Sequence, residues 1–359
     1  MTSSEPPVRL GLVGCGGISH VHAKAALTIP ETVRIAACCD IHEPAAKAWA
    51  EKYGCESHHA DYAAMLRAER LDGVLLATWP NQHREQIERC LDAGARAILC
   101  EKALALSPAE ALEIRALARA RAAIVMEGFM FRHHPAVAKL DELLASGRLG
   151  PLDSIRADFS AYDAERAPAD DASRNWRQRK ECGGGIPFDF ACYCVNACQH
   201  FAGAPPVRVW CRGGTSPHYG TVNRMYAMLE YANGVVATLE SSKKANHSQR
   251  VELACAHGRL VLPVAWSLPL PVAIAEQRCP GWIDFERLSH PVEDANAYAR
   301  QFENFAAAIR GRARPGMPLD ESVANAYTLE ALIASLEQGE PVAVKLPHDL
   351  AAALERPAR

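Results

Sequence analysis

The sequence lacks several features that would place it in other classes of protein. It contains no apolar run of about 18 residues, the length a helix needs to cross a bilayer, so we expect no membrane span. Its net charge is −3, without the positive excess typical of proteins that bind nucleic acid or anionic membranes. Residues 1–7 lack the apolar core of a secretory signal, and we therefore expect a cytoplasmic protein.

The common metal-binding and disulfide patterns are also missing. The 13 cysteines are an odd number scattered over 359 residues, which favours free thiols in a reducing compartment. No C-x-x-C pair and no H-E-x-x-H motif occurs. Cys192, Cys194 and Cys198 are close in sequence, but only the last two share a helix face. We interpret them as small buried residues rather than as ligands of a structural zinc, and we predict no metal site.

The chain is long enough for two domains, and its pattern changes along its length. The first part alternates apolar strands with helices, which predicts a parallel sheet covered on both faces. From about residue 150, strands follow one another through short turns, which indicates an antiparallel sheet. We predict domains at 1–128 and 129–359, and we expect two late amphipathic helices, near 297–310 and 322–337, to pack back on the first domain.

A glycine-rich turn after the first strand predicts a dinucleotide site. The strand at residues 8–13 leads into G-C-G-G-I-S at residues 14–19 and then into a helix. The first glycine allows the tight turn, and the second lets the backbone approach a pyrophosphate at the helix N-terminus. Ser19 replaces the usual glycine or alanine of this fingerprint but is small enough for close packing. A plain glycine-rich turn without a nucleotide is the alternative.

An acid at the end of the second predicted strand bears on which dinucleotide is bound. Asp40 follows the apolar run 33–39 at about the distance expected of the carboxylate that binds the ribose. Residues 41–43 contain no arginine or lysine to meet a 2′-phosphate, and Asp40 would repel that phosphate. We therefore favour NAD over NADP. Asp40 could also cap the helix from Pro44 onward, and one residue could serve both roles.

A helix after three glycines is the second candidate site. Residues 183–185 are all glycine, and Pro187 suits the first turn of a helix. Asp189, Tyr193 and Asn196 are four and three residues apart, so they share one face of an otherwise apolar helix. A carboxylate, a phenol and an amide on a buried helix need partners or a chemical role. A polar face satisfied by backbone groups is the alternative.

Four motifs in this order resemble the glucose–fructose oxidoreductase/inositol dehydrogenase (Gfo/Idh/MocA) family. They are the glycine turn, A-T-W-P-N-Q-H at residues 77–83, C-E-K at residues 100–102, and the triple glycine followed by Asp189. The resemblance covers nearly the whole chain. It implies an α/β Rossmann domain plus an α+β domain with an open, mostly antiparallel sheet. In the family this sheet often joins subunits, which implies a homodimer or homotetramer.

The resemblance also implies a catalytic pair. Tyr193 stands where the family usually has histidine, which is similar to the branch of glucose–fructose oxidoreductase, D-xylose dehydrogenase and dimeric dihydrodiol dehydrogenase. In that branch a lysine and a tyrosine act together, and these roles carry over onto Lys102 and Tyr193. An ammonium group lowers the pKa of a nearby phenol, which helps the phenol to act as a base. Asp189 would orient the substrate or Lys102, with Asn196 behind it.

The motifs and the resemblance together give a set of site residues. The catalytic residues are Lys102, Tyr193 and Asp189; the cofactor-binding residues are Gly14, Gly16, Gly17, Ile18, Asp40, Thr78, Asn81, His83, Glu101 and Lys102; candidate substrate contacts are Arg132, His133, Asn175 and Arg177. Ala103 replaces the proline of the family's Glu-Lys-Pro, whose peptide bond is commonly cis. Because a cis bond before alanine costs about 2.5–4 kcal/mol, we expect a trans bond there.

These observations predict an NAD-dependent oxidoreductase that moves a hydride between a sugar or polyol and the nicotinamide. Reduction of a keto-sugar and oxidation of a trans-dihydrodiol are alternatives. A nucleotide-binding sensor without chemistry is another alternative, motivated by Ala103. The charged stretch 163–181, a candidate lid or solvated loop, favours a polyhydroxylated substrate over a dihydrodiol.

Overall fold

A computed structural model describes residues 5–163, 175–266, 272–278 and 286–354 of the protein. Within these ranges the chain divides into two units. The first contains residues 5–105, 109–133 and 296–319, and the second contains residues 106–108, 134–295 and 320–354 apart from the gaps named above. Most of the candidate lid, residues 164–174, lies outside the described residues.

The described helices and strands are numbered here in chain order. The helices are α1 Gly17–Ala26, α2 Glu43–Tyr53, α3 Tyr62–Ala68, α4 His83–Asp92, α5 Pro108–Ala120, α6 Pro135–Ala145, α7 Cys192–Ala202, α8 Ala297–Ile309, α9 Leu319–Gln338 and α10 His348–Leu354. The strands are β1 Val8–Val13, β2 Val33–Cys39, β3 Ser57–His59, β4 Gly73–Leu76, β5 Ala97–Cys100, β6 Ile124–Glu127, β7 Leu152–Ser160, β8 Arg208–Thr215, β9 Val222–Glu230, β10 Val236–Ser242, β11 Val251–Cys255, β12 Gly258–Leu262, β13 Val272–Arg278, β14 Glu286–Val292 and β15 Val342–Ala343.

The first unit is built on a parallel sheet with the strand order β3-β2-β1-β4-β5-β6. Strands β4 and β5 are buried along their whole length, because helices cover a parallel sheet on both faces. This is the order of the dinucleotide-binding α/β fold, in which ligands lie at the carboxyl ends of the strands. The predicted Rossmann domain is therefore confirmed.

The second unit is built on a sheet with the order β14-β13-β12-β11-β7-β10-β9-β8-β15. Its strands pair antiparallel except for β7 and β10, which are parallel. Helices α6 and α7 pack against this sheet. The outward side chains of β8 and β9 face solvent, and Trp210 and Tyr226 are 41% and 44% exposed. The predicted open, mostly antiparallel sheet is confirmed.

Helix α7 continues a π turn at Pro187–Ala191 and is buried over its whole length, as its apolar sequence predicted. Of the two late helices, α8 belongs to the first unit, whereas α9 belongs to the second unit from residue 320 onward. None of the described helices combines the length and the apolar character needed to cross a bilayer.

Candidate functional site

In the first unit, the glycine turn between β1 and α1 is tight on one side and open on the other. Gly14 has φ +95°, and a Cβ there would lie 2.8 Å from the carbonyl oxygen of Ala77. A Cβ at Gly16 or Gly17 would meet no described atom within 4 Å, and both residues are exposed. Ile18 follows in the first turn of α1. The turn therefore has room for a diphosphate at the N-terminus of a helix, which fits a bound dinucleotide.

Ser19, the unusual third residue of the glycine motif, links two helices. It is fully buried, and its hydroxyl donates to the carbonyl oxygen of Gly16 over 2.6 Å. The same hydroxyl accepts a hydrogen bond from Nε1 of Trp49 on α2, at 2.9 Å. In the usual fingerprint a glycine at this position allows close packing of the helix on the sheet, whereas here Ser19 makes hydrogen bonds to Gly16 and Trp49.

Asp40 lies at the carboxyl end of β2, beside the glycine turn. Its Oδ2 accepts from the backbone N–H of Cys15 and its Oδ1 from that of His42, both at 2.9 Å. Helix α2 begins at Glu43, one residue before the predicted start at Pro44, and its N-cap residue is His42, so the alternative role of Asp40 as the helix cap was wrong. The two hydrogen bonds fix the carboxylate, and its remaining lone pairs can accept from ribose hydroxyls.

The segment after β4 contains Thr78, Asn81 and His83. The hydroxyl of Thr78 donates to Oε1 of Gln86 over 2.5 Å, and Asn81 is exposed in a short 3-10 turn. His83 is fully buried, with Nδ1 2.9 Å from the carbonyl oxygen of Ala103 and Nε2 3.3 Å from that of Thr78. Burial lowers the pKa of His83, which favours the neutral ring. His83 therefore joins two strand-end segments from inside the protein.

Glu101 is a buried carboxylate directly before Lys102. It is 6% exposed, and its Oε1 lies 2.7 Å from Nε2 of His22 on α1. Burial acts to raise the pKa of Glu101, but the hydrogen bond and charge of His22 and the charge of Lys102 outweigh it, so the pKa is lowered. The carboxylate is thus held ionised next to the predicted catalytic lysine.

The chain around Lys102 is fixed residue by residue. The Lys102 N–H donates to Oε2 of Glu101 at 3.2 Å, and the Leu104 N–H donates to Oε1 of Glu127 at 2.8 Å. The bond between Lys102 and Ala103 is cis, so the expectation of a trans bond was wrong. That expectation used the intrinsic preference of an isolated peptide, whereas here buried side chains bind the backbone on both sides of the bond.

Arg132 and His133 lie in the first unit, against the segment that follows α8. Nη1 of Arg132 is 3.4 Å from Sδ of Met317. A Cβ at Gly316 would lie 2.6 Å from Cε1 of His133, so the imidazole ring occupies the space of a missing side chain. Burial, together with the charge of Arg132, lowers the pKa of His133 to about 3. These two candidate substrate contacts are thus packed against the chain itself.

In the second unit, Asp189 is held by Arg177. Asp189 is 2% exposed, and both of its carboxylate oxygens accept from Nε of Arg177, at 3.1 and 3.0 Å. The guanidinium also lies 4.9 Å from the centre of the Trp176 ring. Oδ1 of Asn175 accepts from the backbone N–H of Arg177 at 3.2 Å, which fixes the short turn. The structure thus links Arg177 both to Asn175, which the sequence analysis named with it as a substrate contact, and to Asp189, which it named as catalytic.

The triple glycine allows this pairing. A Cβ at Gly184 would lie 2.6 Å from the carbonyl oxygens of both Trp176 and Arg179, which no side chain could tolerate. Gly185 has φ +103°, and its N–H donates to the carbonyl oxygen of Arg177 at 3.0 Å. The turn that carries Arg177 can therefore pack directly on the backbone before α7.

Tyr193 lies in an aromatic cluster on α7 and the neighbouring sheet. It is 6% exposed, and its ring centre is 5.5 Å from Phe159 in an edge-to-face contact and 5.7 Å from Trp266. Phe159 in turn stacks on Phe190 with 4.2 Å between ring centres. The ring of Tyr193 thus packs against two aromatic side chains, one helical turn from Asp189. Asn196 is 1% exposed on the same helix.

The sequence analysis missed Lys243, which directly follows β10. Its Nζ lies 3.9 Å from Oδ2 of Asp189, and its side chain is 13% exposed. Two lysines after a strand are usually solvated. The pattern K-K at residues 243–244 therefore does not predict a largely buried lysine beside a carboxylate. Among the predicted catalytic residues, Lys102 belongs to the first unit and Tyr193 and Asp189 belong to the second.

Comparisons with known proteins agree with this division. Residues 8–129 match the family model for the oxidoreductase family with an NAD-binding Rossmann fold. Residues 137–261 match the model for the GFO/IDH/MocA C-terminal domain.

Individual relatives match most of the chain. D-xylose 1-dehydrogenase (NADP(+)) 2 of Haloferax volcanii is 30% identical over 92% of this chain and 98% of its own. A trans-1,2-dihydrobenzene-1,2-diol dehydrogenase from Mus musculus is 26% identical over 72% of this chain and 76% of its own. The crystal structure of KijD10, a 3-ketoreductase from Actinomadura kijaniata in complex with NADP and TDP-benzene, superposes with a TM-score of 0.81. It is 25% identical and covers 92% of this chain and 98% of that one.

Alanine substitutions on the open and on the closed side of the glycine turn should have different effects, one on dinucleotide binding and the other on stability. Gly16→Ala should leave the melting temperature near that of the wild type, because its Cβ meets no described atom, but should weaken dinucleotide binding at least about tenfold. Gly14→Ala should lower the melting temperature by several degrees through strain and contact with Ala77. Differential scanning fluorimetry and NADH fluorescence titration measure the two effects. Unchanged binding by Gly16→Ala would show that the turn does not hold the diphosphate.

Proposed function

Because the chain belongs to the Gfo/Idh/MocA family of NAD(P)-binding oxidoreductases, we propose that it oxidises a hydroxyl group of a sugar or polyol with NAD. The observation that carries this proposal is the fixation of residues 101–104. Side chains of Glu101, His83 and Glu127 bind three successive backbone groups of this segment. Such support is what a site needs when one side chain, here Lys102, must keep its place during a reaction.

In the proposed reaction a dinucleotide held at the glycine turn and Asp40 would supply the acceptor for the hydride of the carbinol carbon. The phenol oxygen of Tyr193 takes the hydroxyl proton, and the ammonium of Lys102 donates a hydrogen bond to the same substrate oxygen. Asp189 orients the substrate. The contacts of Phe159 and Trp266 with the Tyr193 ring support this role, because a base must be held in one position. In the reverse direction Tyr193 returns the proton to a carbonyl oxygen.

A phenylalanine at position 193 tests this assignment. Tyr193→Phe should lower kcat by at least about a hundredfold, because it removes the proton acceptor, while NADH binding stays within about twofold. Lys102→Met should lower kcat similarly. Tyr327→Phe removes the same hydroxyl from a half-buried tyrosine on α9 and should leave kcat unchanged. NADH formation would be followed at 340 nm with a panel of aldoses and inositols. A Tyr193→Phe enzyme with the wild-type rate would refute the role of Tyr193.

Oxidation of a trans-dihydrodiol is the second candidate function. The half-buried, stacked rings of Phe159 and Phe190 beside Tyr193 offer apolar surface to such a substrate. The mouse relative carries this activity in its name. Adding dihydrodiols to the substrate panel separates the two candidates. A chain that binds NADH but forms none with any compound of the panel would instead be the non-catalytic sensor that Ala103 suggested.

For the cofactor, we propose that Gly14, Gly16, Gly17, Ile18, Asp40, Thr78, Asn81 and Lys102 line its site. His83 and Glu101, predicted as cofactor contacts, would act by positioning the loop, because their polar atoms face the protein interior. The Haloferax relative and KijD10 are named with NADP, which opposes our preference for NAD. We favour NAD because the carboxylate of Asp40 is fixed beside the glycine turn, where it would repel a 2′-phosphate.

Replacing Asp40 tests the cofactor preference. The wild type should have a higher kcat/KM for NAD than for NADP, and Asp40→Ser should raise kcat/KM for NADP by about tenfold or more. The same change should weaken the binding of NAD, because a hydrogen-bond partner of the ribose is lost. Glu51→Gln removes an exposed charge farther along α2 and serves as the control. A wild type that prefers NADP would overturn the role given to Asp40.

For quaternary structure, we propose that the outer face of the second sheet joins two subunits. This face carries the exposed rings of Trp210 and Tyr226. They border a shallow depression of about 350 Å³ together with Arg156, Met228 and Glu240. Exposed apolar groups that form one patch with polar groups at its edge are typical of subunit interfaces.

A charge in this patch should separate the subunits. We expect the wild type to sediment as a dimer or tetramer and Trp210→Glu to shift toward the monomer, because burying an unpaired carboxylate in the interface is unfavourable. Leu27→Glu makes the same kind of change at a residue of the first unit that is 59% exposed, and it should leave the assembly intact. Sedimentation velocity measures both. A monomeric wild type at micromolar concentration would contradict the proposed interface.

A further inference from the structure

Lys243 is held beside the predicted substrate-binding residues of the second unit. Its backbone N–H donates to the carbonyl oxygen of Asn223 over 2.9 Å, and its carbonyl oxygen accepts from the N–H of Asp163 at 2.8 Å. Its Nζ lies 3.9 Å from Oδ2 of Asp189 and 6.0 Å from the centre of the Phe190 ring. Two backbone bonds therefore fix the residue, and its ammonium lies next to the carboxylate that precedes Tyr193 by one turn.

Within the described ranges, this ammonium group has no hydrogen-bond acceptor. The 3.9 Å to Asp189 is an ion-pair distance but is too long for a hydrogen bond. Both oxygens of Asp189 already accept from Arg177. Lys243 is only 13% exposed, so its three N–H donors have little access to bulk water. A largely buried ammonium without acceptors is unfavourable unless a ligand supplies them.

The charges of this cluster do not balance. Among the described residues of this cluster, Arg177 and Lys243 contribute two positive charges and Asp189 contributes one negative charge, which leaves one positive charge. Lys243 is the less exposed of the two cations, at 13% against 47% for Arg177. A substrate hydroxyl would satisfy one donor of Lys243 but would leave this charge uncompensated. A carboxylate or a phosphate would satisfy several donors and the charge together, because charge-assisted hydrogen bonds are the stronger ones.

We propose that Lys243 binds an anionic group of the substrate, so that the preferred substrates are sugars that carry a carboxylate or a phosphate. This inference rests on the proposed function, since it names the substrate class of the same site. Lys243 is thereby a substrate-binding residue that determines specificity, and Arg177 is a positioning residue that keeps the Asp189 charge compensated when the anion is absent.

Matched substrates that differ in one charged group test the inference. Initial rates would be compared for D-glucose and D-glucuronate, which differ in a carboxylate, and for D-glucose 6-phosphate and a nucleoside diphosphate glucose, which carry phosphate. The wild type should show kcat/KM at least about tenfold higher for one of the anionic compounds than for glucose. The anionic compound with the highest kcat/KM shows whether the site prefers a carboxylate or a phosphate.

Lys243→Met keeps the length of the side chain and removes its charge. It should raise KM for the preferred anionic compound by about 10- to 100-fold, the loss expected for a charged hydrogen bond, with kcat changed less than about threefold. KM for glucose should stay the same. Lys243→Arg should retain most of the binding. Lys244→Met removes the same charge from the exposed neighbour and is the matched control.

Isothermal titration calorimetry separates this inference from the proposed function. The anionic sugars would be titrated into the NADH-loaded wild type and into Lys243→Met, with circular dichroism to verify the fold of each variant. Tight binding that Lys243→Met loses and Lys243→Arg keeps would support the inference even if no compound were oxidised. Equal binding of anionic and neutral sugars, or anion binding that Lys243→Met retains, would overturn it while leaving the oxidoreductase proposal standing.

Discussion

A carboxylate removed from water lies in each unit, and the candidate site of each unit depends on how that charge is compensated. In the first unit Glu101 is 6% exposed and meets His22, and in the second Asp189 is 2% exposed and meets Arg177. A buried carboxylate without such a partner would destabilise the fold or lose its charge. Each pair also anchors a segment of the candidate site. In the first unit Glu101 immediately precedes Lys102, and in the second Arg177 belongs to the turn packed on the glycines.

The backbone makes these pairings possible. Arg177 can reach Asp189 because Gly184 lets the turn at 175–179 pack where any Cβ would strike two carbonyl oxygens. At the other site, His83 binds the carbonyl oxygen of residue 103 and Glu127 binds the N–H of residue 104.

Local features of the site could be predicted from the sequence. The glycine turn, the acid after β2 and the buried face of α7 are each set by residues close in sequence, where spacing and residue type decide the structure. Strands β13 and β14 were not predicted, and β14 is mostly exposed and lacks a clear alternation. The short edge strand β3 consists of Ser57, His58 and His59, which have no strand pattern of their own and pair with β2.

The parts that could not be predicted depend on contacts between distant residues. The cis bond after Lys102 is accompanied by side chains 20 residues before and 23 residues after the residues that they bind. Lys243 directly follows β10, which pairs with β7 in parallel, and its ammonium lies beside Asp189, a residue distant in sequence. Neither a propensity nor a motif contains such information, since each describes a window much shorter than these separations.

The compensation of Asp189 also decides which residue can accept a proton in the proposed reaction. A carboxylate that shares a guanidinium N–H between both oxygens is stabilised as an anion, so it is a weak base. Its neighbour Lys243 acts in the same direction. The ring of Tyr193 contacts Phe159 and Trp266, and in the proposed reaction a nearby ammonium favours the phenolate form of its hydroxyl. Lys102, on the first unit, is the group that the proposal assigns to this task. In that proposal the phenol and the ammonium come from different units of the chain, so proton transfer to Tyr193 would depend on a residue outside its own unit.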